Sequence, residues 1–417
     1  MLSTKIFRVA IFLLITFDAY SGENNASEIV FSTYLGGKGD DHANIVRADG
    51  AGNVFIGGFT EYWDNFPTLN AIQNSRQGAY SGIVAKFSGG GLLQWATHLG
   101  GARGSVKGNS VFNESDYVFN VVTGLAPDLN GGVYAAGTTT SSDFPTVNAI
   151  QSAPQSRNES FLTRFDKSGK IVWSTYIGGS GIHFATAIAS TSNGVVYVTG
   201  LADVKCGVAK FDSAGKLIWS KTFGGDGHFT DGKSIATDVA GNVFVGGDTH
   251  VDHLPMQTDE QRYASFPKKN PYVAKFDMNG ELLWSVKLGS PDEDELVATD
   301  VDRTGNVYVT GVTKSNQFPT LNASRPARSG NDDAFIAKFN SDGRLLWSTY
   351  LGGSGKDEVH AIAVDANDYI HITGNTASIR YPTKKPFQSK QGGGVDAFVT
   401  TFSPDGEIVH SSYLGNL

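Results

Sequence analysis

Two groups of side chains in this chain have types and spacing that suit chemistry. In the first, carboxylates gather just ahead of alternating apolar stretches: Asp40 with Asp41, Asp292 to Glu295, and Asp357 with Glu358. Aligned on the stretch that follows, Asp41, Asp294 and Asp357 fall at one position. Carboxylates brought together from separate segments suit a hard cation such as Ca²⁺, or a cationic group on a partner. An aspartate at such a place also caps its own turn, and both readings stand. The second group is His228, Asp231, His250, Asp252 and His253, with His183 upstream. Imidazoles beside a carboxylate suit Zn²⁺ or acid–base work, and the plain alternative is a set of solvated loop histidines. No cofactor is called for by these patterns; Ca²⁺ and Zn²⁺ are the two possibilities they leave open. The segment from Gly227 to Ser234, GHFTDGKS, satisfies the spelling of a phosphate-binding loop. Such a loop needs a buried parallel strand before it and a helix after it. Here SIATD follows, a strand pattern, so the match is coincidental. No Ser-His-Asp signature, H-E-x-x-H or C-x-x-C occurs.

The elements that must position these residues are repeats. LLWSTYLGG, Leu345 to Gly353, recurs as IVFSTYLGG from Ile29, LQWATHLGG from Leu93, IVWSTYIGG from Ile171, LIWSKTFGG from Leu217 and LLWSVKLGS from Leu282. A last copy, IVHSSYLGN, begins at Ile408. Each copy alternates like a strand and ends at glycine. Five of the six tryptophans stand at its third position. The copies at the two ends of the chain carry Phe31 and His410 there instead. Three further strand patterns precede this one, so the unit is a four-strand phrase, a to d. In the last unit these are Val359 to Asp365, Tyr369 to Gly374, Asp396 to Phe402 and Ile408 to Gly415. Short Asp/Asn-Gly turns such as DRTGN and FDKSGK join a to b and c to d, which predicts tight antiparallel hairpins.

One four-stranded sheet that is apolar on both faces cannot stand alone. Radial packing against copies of itself buries both faces, which predicts an all-β, single β-propeller of four-stranded antiparallel blades. Six complete a-b-c sets predict six blades, with the N-terminal d-type strand docking at the closing blade; a seventh, degenerate blade is the alternative. The tryptophan of strand d would fill the widest gap between blades. The b-to-c and d-to-a loops share one end of each blade, and their length and variety put function there. Phe66-Pro67-Thr68, Phe144-Pro145-Thr146 and Phe318-Pro319-Thr320 recur in the b-to-c loops and read as scaffold, the aromatic tucked under its loop. The third b-to-c loop is cut to Leu201 to Lys205 between two long ones, which predicts a ligand notch over the third blade.

The phrase from Gly305 to Gly353, with its G-N-V-Y-V-T-G, F-P-T, D-A-F-I-A-K-F and L-L-W-S-T-Y-L-G-G segments, resembles the bacterial beta-propeller repeat family called SBBP repeats. The resemblance covers nearly all of the chain after its first segment. It implies a propeller on exported or cell-surface bacterial proteins, and it brings no catalytic residues with it.

Residues 1–21 read as a signal peptide. Lys5 and Arg8 precede an apolar run, Val9 to Phe17, and Ala19 and Ser21 offer a cleavage point. That run is too short to span a bilayer as a helix. Residues 22–28 are a polar spacer and 29–417 the propeller. The lone Cys206 allows no internal disulfide, so burial alone must hold the fold. A formal charge of −8 without any Lys/Arg block argues against nucleic acid as a partner. The expectation is a secreted, cell-surface or periplasmic monomer without a transmembrane segment after signal cleavage. It would be non-enzymatic and bind an extracellular protein or glycan through its loop-rich face. The alternative is an extracytoplasmic hydrolase or lyase with its site at the channel mouth.

Overall fold

Alternating strands and Asx-Gly turns give the sheets that the repeat predicts. The computed structural model describes residues 10–15, 28–61, 65–104, 118–224, 228–251, 253–256, 262–263 and 268–415. The fold is an all-β, six-bladed β-propeller, with each blade built from four antiparallel strands in chain order. The blades span residues 41–99, 120–176, 184–223, 234–288, 294–351 and 357–414. Blade 4 gains a short fifth strand, Arg262–Tyr263, parallel to its outer strand. No helix among the described residues is long and apolar enough to cross a membrane.

The chain divides into two compact units, residues 1–203 with 208–220, and residues 204–207 with 221–417. In the first unit, Phe55, Val84 and Trp95 of blade 1 share one core cluster with Val122, Val133 and Phe161 of blade 2. In the second, Tyr308 and Trp347 of blade 5 share one with Ile362, Ile372 and Phe402 of blade 6. Blade 2 also shares a cluster with blade 3, and blade 5 with blade 4, so both faces of these two sheets are used, as the double-sided apolar pattern requires.

The strand-d tryptophan crosses to the next blade. Trp347 Nε1 donates to the Pro404 carbonyl at 3.0 Å, and Trp284 Nε1 to the Ser341 carbonyl at 2.9 Å. A strand-c lysine joins each: Lys338 Nζ reaches the same Pro404 carbonyl at 3.2 Å, and Lys275 Nζ the same Ser341 carbonyl at 3.0 Å. Each lysine Nζ also lies over an aromatic ring of strand b in its own blade, Tyr308 or Phe244. The indole packs over a glycine of the neighbouring c-to-d hairpin. A β-carbon at Gly406 would lie 2.9 Å from the Trp347 ring, so only glycine fits, and its φ of 87° also requires one.

The F-P-T loops are pinned from below. Tyr350 donates its hydroxyl to the Ser315 carbonyl at 2.9 Å and accepts the Phe318 amide at 3.1 Å. Tyr176 and Tyr413 repeat this bond pair on Ser141 and Phe144, and on Ser378 and Tyr381. Phe144, Phe318 and Tyr381 are buried, which agrees with the scaffold reading.

The N-terminal d-type strand departs from expectation. Glu28–Tyr34 belongs to none of the six blade sheets and pairs antiparallel with Ala10–Ile15. Its Phe31 nevertheless sits against Gly91 in the c-to-d hairpin of blade 1, as Trp95 sits against Gly169 in blade 2. The aromatic position is therefore used as in the repeat, while the hydrogen-bonding partner is the segment read as a signal peptide.

Candidate functional site

The strand register makes the aspartate row explicit. Asp41 lies opposite Thr60, Asp294 opposite Thr313 and Asp357 opposite Thr376. Blade 2 has Asn120 opposite Thr139, and blade 4 has Thr230 bridged to Thr249. These side chains are spent locally. Asp357 accepts from the Gly353 amide at 2.7 Å and from the Ser378 and Thr376 hydroxyls at 2.7 and 2.5 Å. Asp41 accepts from the Gly37 amide at 2.6 Å, and Asn120 from the Thr139 hydroxyl at 2.7 Å. Each side chain holds the turn before its own strand, as the capping reading has it.

Asp294 accepts from the Ser290 hydroxyl at 2.5 Å, and burial pushes its carboxyl up to about 6. The unfolded chain therefore gives up this proton first as pH rises from 3.8 to about 6. Across that window the native state holds more protons, and stability falls with rising pH. Asp294→Asn removes the charge that burial opposes. Its stability advantage over the wild type should grow by about 2–3 kcal/mol between roughly pH 3.5 and 7, read by denaturant titration at each pH.

Blade 3 breaks the row. Phe184 pairs with Leu201, which sets His183 opposite Ala202, and the His183 amide bonds the Leu201 carbonyl at 3.0 Å. The threonine partner of the other blades is thus lost together with the aspartate. The His183 ring is half-buried and lies 3.8 Å from the Asp203 carboxylate across the shortened loop. Asp203 adopts a φ of 57°, which the two-residue turn demands of it. A hollow of about 330 Å³ opens here, lined by Ser156, Arg157, Asn158, His183, Phe184, Leu201 and Asp203. The wall carrying Arg157 is fixed by a buried carboxylate. Glu159 accepts from the Gln155 and Ser156 amides, both at 2.9 Å, and from the Ser156 hydroxyl at 3.1 Å. The hollow offers an aromatic ring that is 40% exposed at Phe184, a guanidinium and an imidazole–carboxylate pair. It can bind a partly apolar group that carries polar substituents.

The other predicted histidines lie elsewhere. His228 and His253 are exposed. His250 meets Phe229 edge to face at 6.3 Å, and its amide bonds the Phe229 carbonyl at 3.0 Å. Asp252 lies outside the described residues. Among the described residues no three His, Cys, Asp or Glu side chains gather as a metal ion would need. The GKS segment leads straight into the strand Ser234–Thr237, and Lys233 pairs with Asp248 and Glu295 rather than facing a helix-borne cradle.

Sequence reasoning missed a row of rings at the same end of blades 1 and 2. His42 stacks on Phe59 at 4.5 Å, Phe59 meets Tyr80 at 5.5 Å, and Tyr80 meets Phe119 at 4.8 Å. His42 and Phe59 hold the cross-strand positions that Phe184 and Leu201 hold at the notch. In blade 4 the same pair is Asp231 and Asp248. The available signal was positional: aromatic residues at strand ends where other units carry acids.

The SBBP beta-propeller repeat pattern matches residues 218–255 and 346–379. The chain carries the SBBP repeat pattern in these two stretches. It is 24% identical over 173 residues to an uncharacterized WD repeat-containing protein, L264, of Acanthamoeba polyphaga mimivirus, covering 35% of this chain and 12% of that one. It is 25% identical over 136 residues to the regulatory protein FlaEY of Caulobacter vibrioides, covering 32% of this chain and 14% of that one. The matched stretch is therefore a small part of each relative. Among solved structures it is similar to a protein of unknown function from Bacteroides caccae, with 11% identity and a TM-score of 0.42 over 80% of this chain and 90% of that one. The notch and the ring row both lie outside the two matched stretches, at the end of the blades where loops vary.

Proposed function

We propose that this SBBP-repeat chain is an exported, non-enzymatic binding module that engages an extracellular protein or glycan through its loop-bearing end. The observation that carries the reading is the release of one repeat position. The side chain that caps a turn in blades 1, 2, 5 and 6 is His183 in blade 3, where it borders an open hollow beside Arg157 and Phe184. The exposed ring row on blades 1 and 2 supports the same face, because aromatic surface at a loop end suits sugar rings and peptide side chains alike. The basic and apolar opening of the chain, Lys5 to Phe17, supports export.

The test is a glycan array together with a pull-down from cell envelope and culture medium, using the wild type and the double variant Arg157→Ala/His183→Ala. The expected result is a partner or glycan held by the wild type and weakened about tenfold or more by the variant. Equal retention by both proteins would remove the notch from the binding face. Bond cleavage in any retained polysaccharide would favour the hydrolase or lyase reading instead.

A further inference from the structure

The hairpin-bearing end of the blades is uniform in backbone, yet the seam from blade 1 to blade 2 lacks a bond that three other seams make. At the seam from blade 2 to blade 3, Trp173 Nε1 donates to the Ser213 carbonyl at 2.9 Å, and the two seams of blade 5 are latched likewise. Lys167 holds the corresponding place in the blade 2 hairpin. Trp95, which faces that hairpin, is fully buried, yet its Nε1 has no acceptor. Lys86, the lysine of this seam, does not converge with its tryptophan on one carbonyl. Its Nζ donates to the Gly131 carbonyl at 2.7 Å. Where the latch is unmade, a hollow of about 910 Å³ opens, lined by Asn53, Asn70, Gln94, Trp95 and three lysines, Lys86, Lys167 and Lys170.

The acids near this hollow are already committed. Asp166 accepts from the Ser168 amide and hydroxyl at 2.8 and 2.7 Å and from the Lys170 amide at 3.1 Å. Asp49 accepts from the Asn53 amide and side chain, both at 2.8 Å. Lys167 and Lys170 are exposed beside them. The lining therefore presents ammonium groups, side-chain amides and a buried N–H without a partner, on a chain whose net charge is −8. That background repels a long polyanion, while a short ligand that stays within the hollow meets only the local positive field. Amides beside ammoniums suit hydroxyls beside an oxyanion, and the volume suits a few sugar rings.

We infer that the blade 1–blade 2 seam is a binding site for an acidic saccharide, with Lys167 and Lys170 taking its carboxylate or sulfate and Asn53, Asn70 and Gln94 its hydroxyls. This site is separate from the notch, at the opposite end of the strands, and stands or falls independently of it.

The experiment is calorimetric titration of the full chain with trigalacturonate, with a sulfated uronate disaccharide and with neutral cellotriose. The two acidic probes tell a carboxylate site from a sulfate site. At least one should bind, with cellotriose showing no heat. Affinity should drop about tenfold or more in Lys167→Ala/Lys170→Ala and also in about 0.5 M NaCl, since both changes remove an electrostatic attraction. Both lysines are exposed, so this variant should melt like the wild type. Trp95→Phe, which deletes the unsatisfied N–H, should weaken the same ligand severalfold. Arg157→Ala/His183→Ala should bind the acidic probe as the wild type does, which separates this site from the loop-bearing end. Failure of both acidic probes to bind, equal heat from cellotriose, or unchanged affinity in the double-lysine variant would overturn the proposal.

Discussion

Trp347→Ala should destabilise the second unit by about 3–5 kcal/mol, seen as a lower denaturant midpoint. Four losses combine. The indole is buried in the core shared by blades 5 and 6, so its removal leaves a cavity that the sheets cannot close. Its N–H bond to the Pro404 carbonyl disappears, leaving Lys338 Nζ as that carbonyl's donor. Gly406, whose bare α-carbon exists to admit the ring, then faces empty space. The indole also stacks on Phe402 at 6.3 Å. Trp347→Phe should recover much of the packing but none of the hydrogen bond, and should cost about 1–2 kcal/mol. If the alanine variant unfolds at the wild-type midpoint, the tryptophan is not what joins the blades.

Asp248→Ala should cost about 3 kcal/mol at neutral pH, by a different mechanism. Asp248 is fully buried and is an ion-pair partner of Lys233 at 2.7 Å and of Lys269 at 3.3 Å. Both lysines also meet Glu295 of blade 5, Lys269 at 3.1 Å. The Oδ1 atom of Asp248 accepts the Leu296 amide at 2.8 Å. Removing the carboxylate strips a buried N–H of its acceptor and leaves two ammonium groups sharing one partner. Asp248→Asn keeps the acceptor and loses the charge, so its cost against the wild type reports the ionic part, and its difference from Asp248→Ala the acceptor.

The square also sets a pH window. Burial opposes the charge on Lys233, but Asp248 and Glu295 outweigh it and raise its ammonium above the usual range. Burial likewise opposes the charge on Glu295, but Lys233 and Lys269 outweigh it and lower its carboxyl. Glu295 contributes stability that is present above its unfolded pKa and lost as pH falls through its lowered one. Lys233 contributes stability that is present below its unfolded pKa and lost as pH rises through its raised one. The penalty of Asp248→Ala should therefore shrink as pH rises through the raised pKa of Lys233, because the buried carboxylate then loses that cation. A penalty that does not change with pH would show that packing, and not charge, holds this corner.

The sequence alone determined the blade. Strand period, Asx-Gly turns and the spacing of Trp95, Trp173, Trp284 and Trp347 were enough to place four strands per unit and six units, because these are local rules acting within tens of residues. The buried F-P-T aromatics followed from recurrence, since a feature present in most blades serves the scaffold; for Asp41 and Asp357 the sequence left cation binding and turn capping both open, and the hydrogen bonds show them capping their turns. The short third loop pointed to a hollow over blade 3 for the same reason: loop length is read directly from the chain.

What only the tertiary structure decided was which side chains are left over. His183 is free of the capping role because its cross-strand neighbour is Ala202, and that pairing depends on a register shared by two strands. His228, His250 and His253 looked alike in sequence but do not line the hollow, because nearness along a chain does not fix direction in a loop. The ring row from His42 to Phe119 joins four strand ends from two blades. The lysine hollow opens at a seam that lacks the bond made by Trp173, Trp284 and Trp347 at theirs. Repetition in a sequence announces what every blade does; an exception gains its meaning only from the atoms that a neighbouring blade sets beside it.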